Sequence, residues 1–220
     1  MDDLDPAGGM VAFDPESMST ADTYKLMTGS IVPRPIALVA TLGPLGPNAA
    51  PFSFFNAVAV DPPTIVFSVS PRDGAAKDTL DNIRALPEFV VHIVSSRLAE
   101  KMNICATAFP CGTDEIAEAG FRTAPSLKVK PPRIIDCPVQ LECRLVQMLP
   151  LGRMPYHLVI GEVVQFHYQA GLVDGRFHVD AGKLDALGRL AGNGGYTRIT
   201  DRFFMPMLSV DEARARTRRV

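Results

Sequence analysis

Between Val139 and Leu145 the chain alternates strictly: Val139, Leu141, Cys143 and Leu145 are apolar, and Gln140, Glu142 and Arg144 are polar. A period of two sends successive side chains to opposite faces of an extended strand. This segment therefore predicts an antiparallel strand with one face in a core and one in water. Residues 157–168 read as a long neighbouring strand, with Pro150, Gly152 and Pro155 in a hairpin-like connection.

Other strands come in runs. Residues 36–42 are a short apolar stretch bounded by Pro35 and Gly43, residues 43–48 a turn by composition, and a second strand lies around 49–58. Residues 64–70 and 89–94 read as further strands, and 171–179 as a turn with a short strand. Helical spacing is confined to short insertions. Residues 80–86 form one, Leu98, Met102, Cys105 and Phe109 mark a second, and 114–119 ends at Gly120. Residues 184–204 are loop-rich, and 17 Gly with 19 Pro fit a chain of many turns. The pattern predicts a mainly β antiparallel barrel with helical insertions, not a parallel doubly wound sheet. No strand–GxGxxG–helix unit supports a Rossmann site.

The 220 residues, 47% hydrophobic and 21% charged, exclude wholesale disorder and suffice for a core without disulfides. A formal charge of −2 argues against nucleic-acid binding. The basic cluster of Arg214, Arg216, Arg218 and Arg219 reads as a solvated end. No apolar run approaches the ~20 residues of a membrane span, and an acidic N-terminus is unlike a signal peptide. The expectation is a cytoplasmic protein without membrane contact: an extension over 1–22, one domain over 23–206 and a tail over 207–220. Cys105 and Cys111, like Cys137 and Cys143, are six positions apart, too wide for a usual zinc pair. On one strand the last two would share a face yet stand about 20 Å apart. All four read as buried, reduced thiols, and no metal site is expected.

Three segments place polar groups at strand ends. In Ser30-Ile31-Val32-Pro33-Arg34-Pro35 an arginine sits between two prolines that stiffen its backbone. It reads either as an anion-pairing guanidinium or as a surface side chain in an entry loop. In Pro51-Phe52-Ser53-Phe54-Phe55-Asn56, a hydroxyl and an amide interrupt an aromatic run. That mixture suits a planar, polar-rimmed ring, or equally a core strand with two satisfied polar groups. Ser70-Pro71-Arg72 leads to Lys77-Asp78-Thr79, with Asn82 a turn later. With Asp78 as N-cap, backbone N–H groups, the Thr79 hydroxyl and two cations converge on a phosphate-sized anion; the other reading is an ordinary capped helix.

Together the stretch SIVPRPIALVATLGPLGPNAAPFSFFNAVAVDPPTIVFSVSPRDGAAKDTLDNI, with EFVVHIV, EKMNICATAFPCGTDEIAEAG, GEVVQFHY and GRLAGNGGY, resembles the flavin reductase-like family of FMN-binding split barrels. The likeness covers most of 24–206. It implies a six-stranded Greek-key barrel that pairs as a homodimer, with FMN at the dimer interface. It also implies that Ser53, Phe54, Phe55 and Asn56 lie along the ring, and that Ser70, Arg72, Lys77, Asp78 and Thr79 surround the phosphate. Arg34 would stand nearby and Asn82 would support the loop. His167 matches a family position near the flavin and is expected to contact substrate. Ala59 and His92 depart from residues common in relatives and bear on the ring environment.

His92 and His178 read as structural. No Ser-His-Asp set, Cys-His set or carboxylate pair stands out, so no catalytic side chain is assigned. That absence agrees with cofactor-borne chemistry. The leading expectation is an FMN-dependent NAD(P)H oxidoreductase passing electrons to flavin, oxygen, a small acceptor or a partner monooxygenase. The rivals are a flavoprotein oxygenase with its own organic substrate, a non-catalytic FMN electron carrier and, more weakly, a haem-binding split barrel with His167 as ligand.

Overall fold

The computed structural model describes residues 9–70, 78–154 and 156–217. Arg72 and Lys77, two of the expected phosphate contacts, lie outside the described residues. The chain opens with helix α1 (Thr20–Ser30), whose N-cap Ser19 accepts the Asp22 N–H. This helix carries no strong apolar period and was not read from the sequence; it runs across the expected boundary at 22/23. Strands β1 (Arg34–Pro35), β2 (Ala37–Gly43), β3 (Gly46–Phe52), β4 (Phe55–Val60) and β5 (Pro63–Val69) follow, then α2 (Asp78–Ala85) and β6 (Glu88–Ile93). A 3-10 turn at Ser96–Leu98 leads into α3 (Ala99–Ile104). Helix α4 (Glu115–Glu118) starts where Asp114 accepts the N–H groups of Ile116 and Ala117. It ends at Gly120, which adopts φ 62°. The rest is β7 (Thr123–Ala124), β8 (Arg133–Ile134), β9 (Val139–Leu151), β10 (Tyr156–Tyr168), α5 (Ala181–Leu184), β11 (Leu187–Arg189), β12 (Tyr196–Arg198) and α6 (Val210–Thr217).

Seven strands form one antiparallel sheet in the order β3-β2-β6-β9-β10-β5-β4. Its two edge strands, β3 and β4, are joined by only Ser53 and Phe54. Laid flat, seven strands about 4.8 Å apart would separate the edges by roughly 29 Å. Three peptide units reach at most about 11 Å. The sheet must therefore roll until its edges meet at the Ser53–Phe54 turn, giving a barrel split along one seam. The expected count of six is one short, because the segment read as a single strand over 49–58 breaks at that turn. Two smaller sheets, β1-β11-β12 and β7-β8, flank the barrel.

Both faces of the central strands are buried. Ala37 and Val39 of β2 pack with Phe67, Phe89 and Val159, while Leu38 and Ala40 pack with Met102, Ile116 and Ile134 beneath the helices. The helical insertions thus close an outer core over the sheet. This overturns the half-buried reading of β9. Gln140 is 7% exposed and Glu142 fully buried, because the 125–134 segment covers their face. It also separates Cys137 from Cys143. The strand begins only at Val139, so Cys137 sits in the outer core and Cys143 in the inner one. Cys105 is buried too, whereas Cys111 is exposed, against the expectation of four buried thiols. The 171–179 segment contributes a single bridge, Val173 to Val179, and not a strand.

Gly161 of β10 lies under the Phe89 ring; a Cβ there would collide with Phe89 Cζ. Among the described residues no helix is long and apolar enough to cross a membrane, and no group of three or more His, Cys, Asp or Glu could hold a metal ion.

Candidate functional site

The seam between β3 and β4 opens into three cavities that share walls. One, of about 290 Å³, is bounded by Met27, Ile31, Arg34, Ser53, Phe54 and Asn56 among others. The next, about 170 Å³, lies between Tyr24, Pro51, Ser53, Phe54, Ser68, Ser70 and Tyr156. The third, about 380 Å³, is bounded by Tyr24, Asn48, Pro51, Asp78, Thr79, Glu115 and Arg189. Ser53 and Phe54 belong to the first two, and Tyr24 and Pro51 to the last two. The cavities therefore form one groove from the β3–β4 turn to the start of α2.

The local chemistry follows from the seam. A turn that ends one strand and starts the next leaves backbone and side-chain polar groups without ladder partners. Phe54 projects against Tyr156, the ring centroids 6.3 Å apart and the planes 17° from parallel, which gives the groove a flat aromatic wall. Phe55 is half-buried against the inner core. Asn56 is exposed at the rim, its Oδ1 accepting the Ala57 N–H.

Arg34 departs from its expected role. It is 5% exposed, and its donors go to protein oxygens: Nη1 to the carbonyls of Thr28 (2.6 Å) and Ile31 (2.8 Å), Nη2 to that of Ala191 (3.0 Å), and Nε to Ser53 Oγ (3.4 Å). It staples the end of α1 and the 190–195 loop behind the turn and does not reach an anion itself. None of the ion pairs among the described residues includes it. Burial pulls its pKa below the ordinary arginine value. A guanidinium stays charged even so, and this one places uncompensated positive charge behind Ser53 and 6.0 Å from the Phe54 ring centroid.

At the other end, Asp78 is the first helical residue, and its carboxylate accepts the Gly112 N–H at 2.9 Å. Thr79 is 1% exposed, and its hydroxyl donates to Asn48 Oδ1 (3.1 Å). The Thr79 hydroxyl, expected to meet phosphate, is engaged within the protein here. Asn48 Nδ2 in turn donates to both Glu115 oxygens, at 3.0 and 2.9 Å. Burial raises the Glu115 pKa, opposed by hydrogen bonds from Ala49 and Asn48. Asn82 donates to Thr41 Oγ1 (3.0 Å) and fills the space over Gly43, so it holds α2 against β2. Tyr24, Asn48, Glu115, Tyr156 and Arg189 were missed in the sequence. Each comes from an element distant in the chain, and only the rolling of the sheet gathers them.

His167 does not join this groove within one chain. It stands eleven residues along β10 from Tyr156, roughly 35 Å of extended strand. Its Nε2 lies 2.7 Å from Glu142 Oε1 and its Nδ1 3.3 Å from Arg133 Nη1. A carboxylate only accepts and a guanidinium only donates, so Nε2 carries the proton shared with Glu142. Burial alone would raise the Glu142 pKa, but N–H donors from Leu127 and Lys128 and the His167 bond outweigh it and bring it down. His92 is structural, as expected: Nδ1 meets the Leu38 carbonyl (2.9 Å) and Nε2 accepts the Ile134 N–H (2.8 Å). Burial depresses its pKa to about 4. His178 is exposed and meets Asp174.

A rolled antiparallel sheet split along one seam defines the class, and solved structures share the fold. Nitrilotriacetate monooxygenase component B from Bacillus cereus superposes with a TM-score of 0.86 at 35% identity, covering 90% of this chain and all of that one. The 2-nitrobenzoate 2-nitroreductase NbaA of Pseudomonas fluorescens gives 0.83 at 35% identity, with 91% and 98% covered. Flavoredoxin of Desulfovibrio vulgaris, at 20% identity and a TM-score of 0.70, shares the fold. A protein of Deinococcus radiodurans is 40% identical over 205 residues, 90% of this chain and 89% of the relative. The family model described as flavin reductase like domain matches residues 28–183, and the chain belongs to that family.

Proposed function

We propose that the protein is an FMN-dependent oxidoreductase of the flavin reductase type, taking electrons from NAD(P)H and passing them to flavin, oxygen, a small acceptor or a partner oxygenase. One observation carries the reading: the groove joins a flat aromatic wall to a buried guanidinium without an acidic partner among the described residues. A planar ring with a polar rim and an anionic form fits that donor set. FMN, when bound, supplies a two-electron acceptor whose reduced form carries negative charge.

The chain's own residues then have distinct tasks. Phe54 and Tyr156 offer contact area to the ring. Ser53 Oγ accepts from Arg34 Nε, which leaves its O–H free to donate into the groove. The Arg34 charge favours the more anionic state of whatever lies at Ser53. Ser68 and Ser70 line the groove where β5 ends. In the third cavity, Arg189 supplies the cation and Asp78 and Thr79 begin α2. No side chain here is needed as proton donor for hydride transfer, which depends chiefly on close stacking.

A homodimer in the cytoplasm accompanies this reading. Phe203 (83% exposed), Phe204 (89%) and Met207 (98%) lie in a segment without regular secondary structure, and Val60 of β4 is 92% exposed. Such surface favours burial against another copy. The passing of electrons to an oxygenase draws support from the 35% identity to a protein described as a monooxygenase component. The similar identity to a nitroreductase favours, as a second reading, direct reduction of a small organic acceptor.

The test is an absorption spectrum of purified protein with added FMN, followed by anaerobic NADH and then NADPH. Flavin that binds and bleaches rapidly with either nucleotide supports the reductase. Flavin that binds but resists both nucleotides shifts the reading to a carrier or substrate-gated oxygenase. Absence of flavin binding removes the cofactor assignment.

A further inference from the structure

At the end of β10 far from the groove lies a cavity of about 760 Å³ whose walls include Arg97, Arg122, Arg133, Asp136, Phe166 and Tyr168. It shares no lining residue with the groove. Its charges do not cancel. Asp136 is taken by Arg122, whose Nη2 lies 2.6 Å from Oδ1 and whose Nε lies 2.9 Å away. Arg133 donates to the Pro125 carbonyl and Gln140 Oε1, and stands 3.8 Å from buried Glu142. Arg97 has no carboxylate partner among the described residues. Its Nε meets Ser95 Oγ (3.2 Å) and its Nη2 weakly meets Gln169 Oε1 (3.3 Å) and the Asp136 carbonyl (3.4 Å). One guanidinium thus faces the cavity with capacity to spare.

The same cavity has an aromatic wall. Phe166 and Tyr168 are two residues apart on one strand and so share a face. Their planes lie 10° from parallel with centroids 6.4 Å apart, and both side chains remain 40% or more exposed. Parallel rings beside an unpaired guanidinium select a flat ring bearing one anionic group. A purely aliphatic anion would leave the wall unused, and a neutral ring would leave Arg97 unanswered.

We infer that this cavity is a second binding site, separate from the groove, for a small aromatic carboxylate. His167 also lines this cavity, but the inference rests on Arg97 and the aromatic wall and does not depend on the cofactor proposed above.

Benzoate is the probe, with benzamide as its neutral isostere and acetate as its ringless analogue. Calorimetric titration of the full chain, with and without saturating FMN, reads the site. The expected result is saturable benzoate binding at one per chain, unaltered by FMN, with acetate and benzamide weaker by about tenfold or more. Arg97→Gln should lose about tenfold in benzoate affinity, and Arg97→Lys should recover part of it. Arg97 is exposed, so circular dichroism should be unchanged in both variants and loss of fold is separable from loss of site. Phe166→Ala should weaken benzoate but not acetate. Absence of saturable benzoate binding, equal affinity in Arg97→Gln, or competition between benzoate and FMN would each overturn the assignment.

Discussion

Arg34 Nε stands 3.4 Å from Ser53 Oγ, tying a buried cation that also binds three backbone carbonyls to the turn at which the barrel's two edges meet. The pair connects fold and site. The same guanidinium that anchors α1 and the 190–195 loop sets the charge behind the groove. Its replacement by methionine keeps the length but leaves the Thr28, Ile31 and Ala191 carbonyls without their donor. Loss of charge-assisted hydrogen bonds of this kind costs about 2–4 kcal/mol. Arg34→Met is expected to lower the thermal midpoint and to weaken FMN binding, and Arg34→Lys to restore charge but not the fork of donors. Melting curves and FMN titrations of the two variants separate the contributions.

His92 offers a pH test of the fold. Its folded pKa of about 4 lies below the ordinary histidine value of 6.5 chiefly through burial. Between those values the unfolded chain binds a proton that the native state refuses, so stability must fall as pH falls through this window. The stabilisation is complete above pH 6.5 and spent once pH drops through 4, a change on the order of 3 kcal/mol. Urea denaturation of wild type and His92→Asn at several pH values should show their stability difference shrinking by that amount on acidification. A constant difference would contradict the buried neutral imidazole.

Thiol reactivity tests the two-core arrangement. Burial pushes Cys105 and Cys137 up to about 12 and raises Cys143 as well, whereas Cys111 is exposed. An aromatic disulfide reagent should therefore modify Cys111 alone in the native protein and all four thiols in denaturant. The neighbouring Asp78 raises the Cys111 pKa, so its reaction should be slow near neutral pH and accelerate as pH rises.

Close packing at Gly161 gives a sharper prediction. A methyl group there meets the Phe89 ring, which is fully buried between Phe67 and the rest of the inner core. Gly161→Ala should destabilise by about 1–3 kcal/mol through overpacking. Adding Phe89→Leu should recover part of the loss, because the shorter side chain vacates the space. Chemical denaturation of both variants reads the coupling.

The strands were largely legible because alternation and proline punctuation are local signals. The period-two run of β9 and the long β10 are both present. What the run did not reveal is that its polar face is also covered, since Glu142 is capped by N–H groups of Leu127 and Lys128 from a segment without periodicity. The Ser53–Asn56 segment was legible as unusual, but its meaning as the seam depended on sheet order. Arg34 stood out as a guanidinium between two prolines, but its partners could not be read, because the carbonyls it binds lie on α1 and on a loop 157 residues away. Arg189 lies in the GRLAGNGGY segment that carries the resemblance, yet nothing in the local sequence marks it, or Tyr24, as a wall of the groove.

The Asn48–Glu115 contact allows a test that joins stability to the groove. Asn48 Nδ2 donates to both Glu115 oxygens while Oδ1 accepts from Thr79, so one amide ties α4, β3 and the start of α2 together. Asn48→Asp replaces the donor with a second carboxylate about 3 Å from the first, and two such groups cannot both ionise there cheaply. Burial already raises the Glu115 pKa, and the substitution raises it further. For an acid whose folded pKa is raised, stability is greatest at low pH and is lost as pH rises through the unfolded value toward the folded one. Asn48→Asp should therefore be several-fold less stable than wild type in folded-to-unfolded ratio near pH 7, recover toward pH 4, and bind FMN more weakly through its added negative charge. Asn48→Ala removes a donor that holds the Glu115 pKa down but adds no charge, so it should cost about 1–3 kcal/mol with a smaller acid recovery. Parallel denaturation curves of the two variants between pH 4 and 7 distinguish a lost hydrogen bond from a shared proton. Identical pH profiles would mean that Glu115 does not face residue 48 as described.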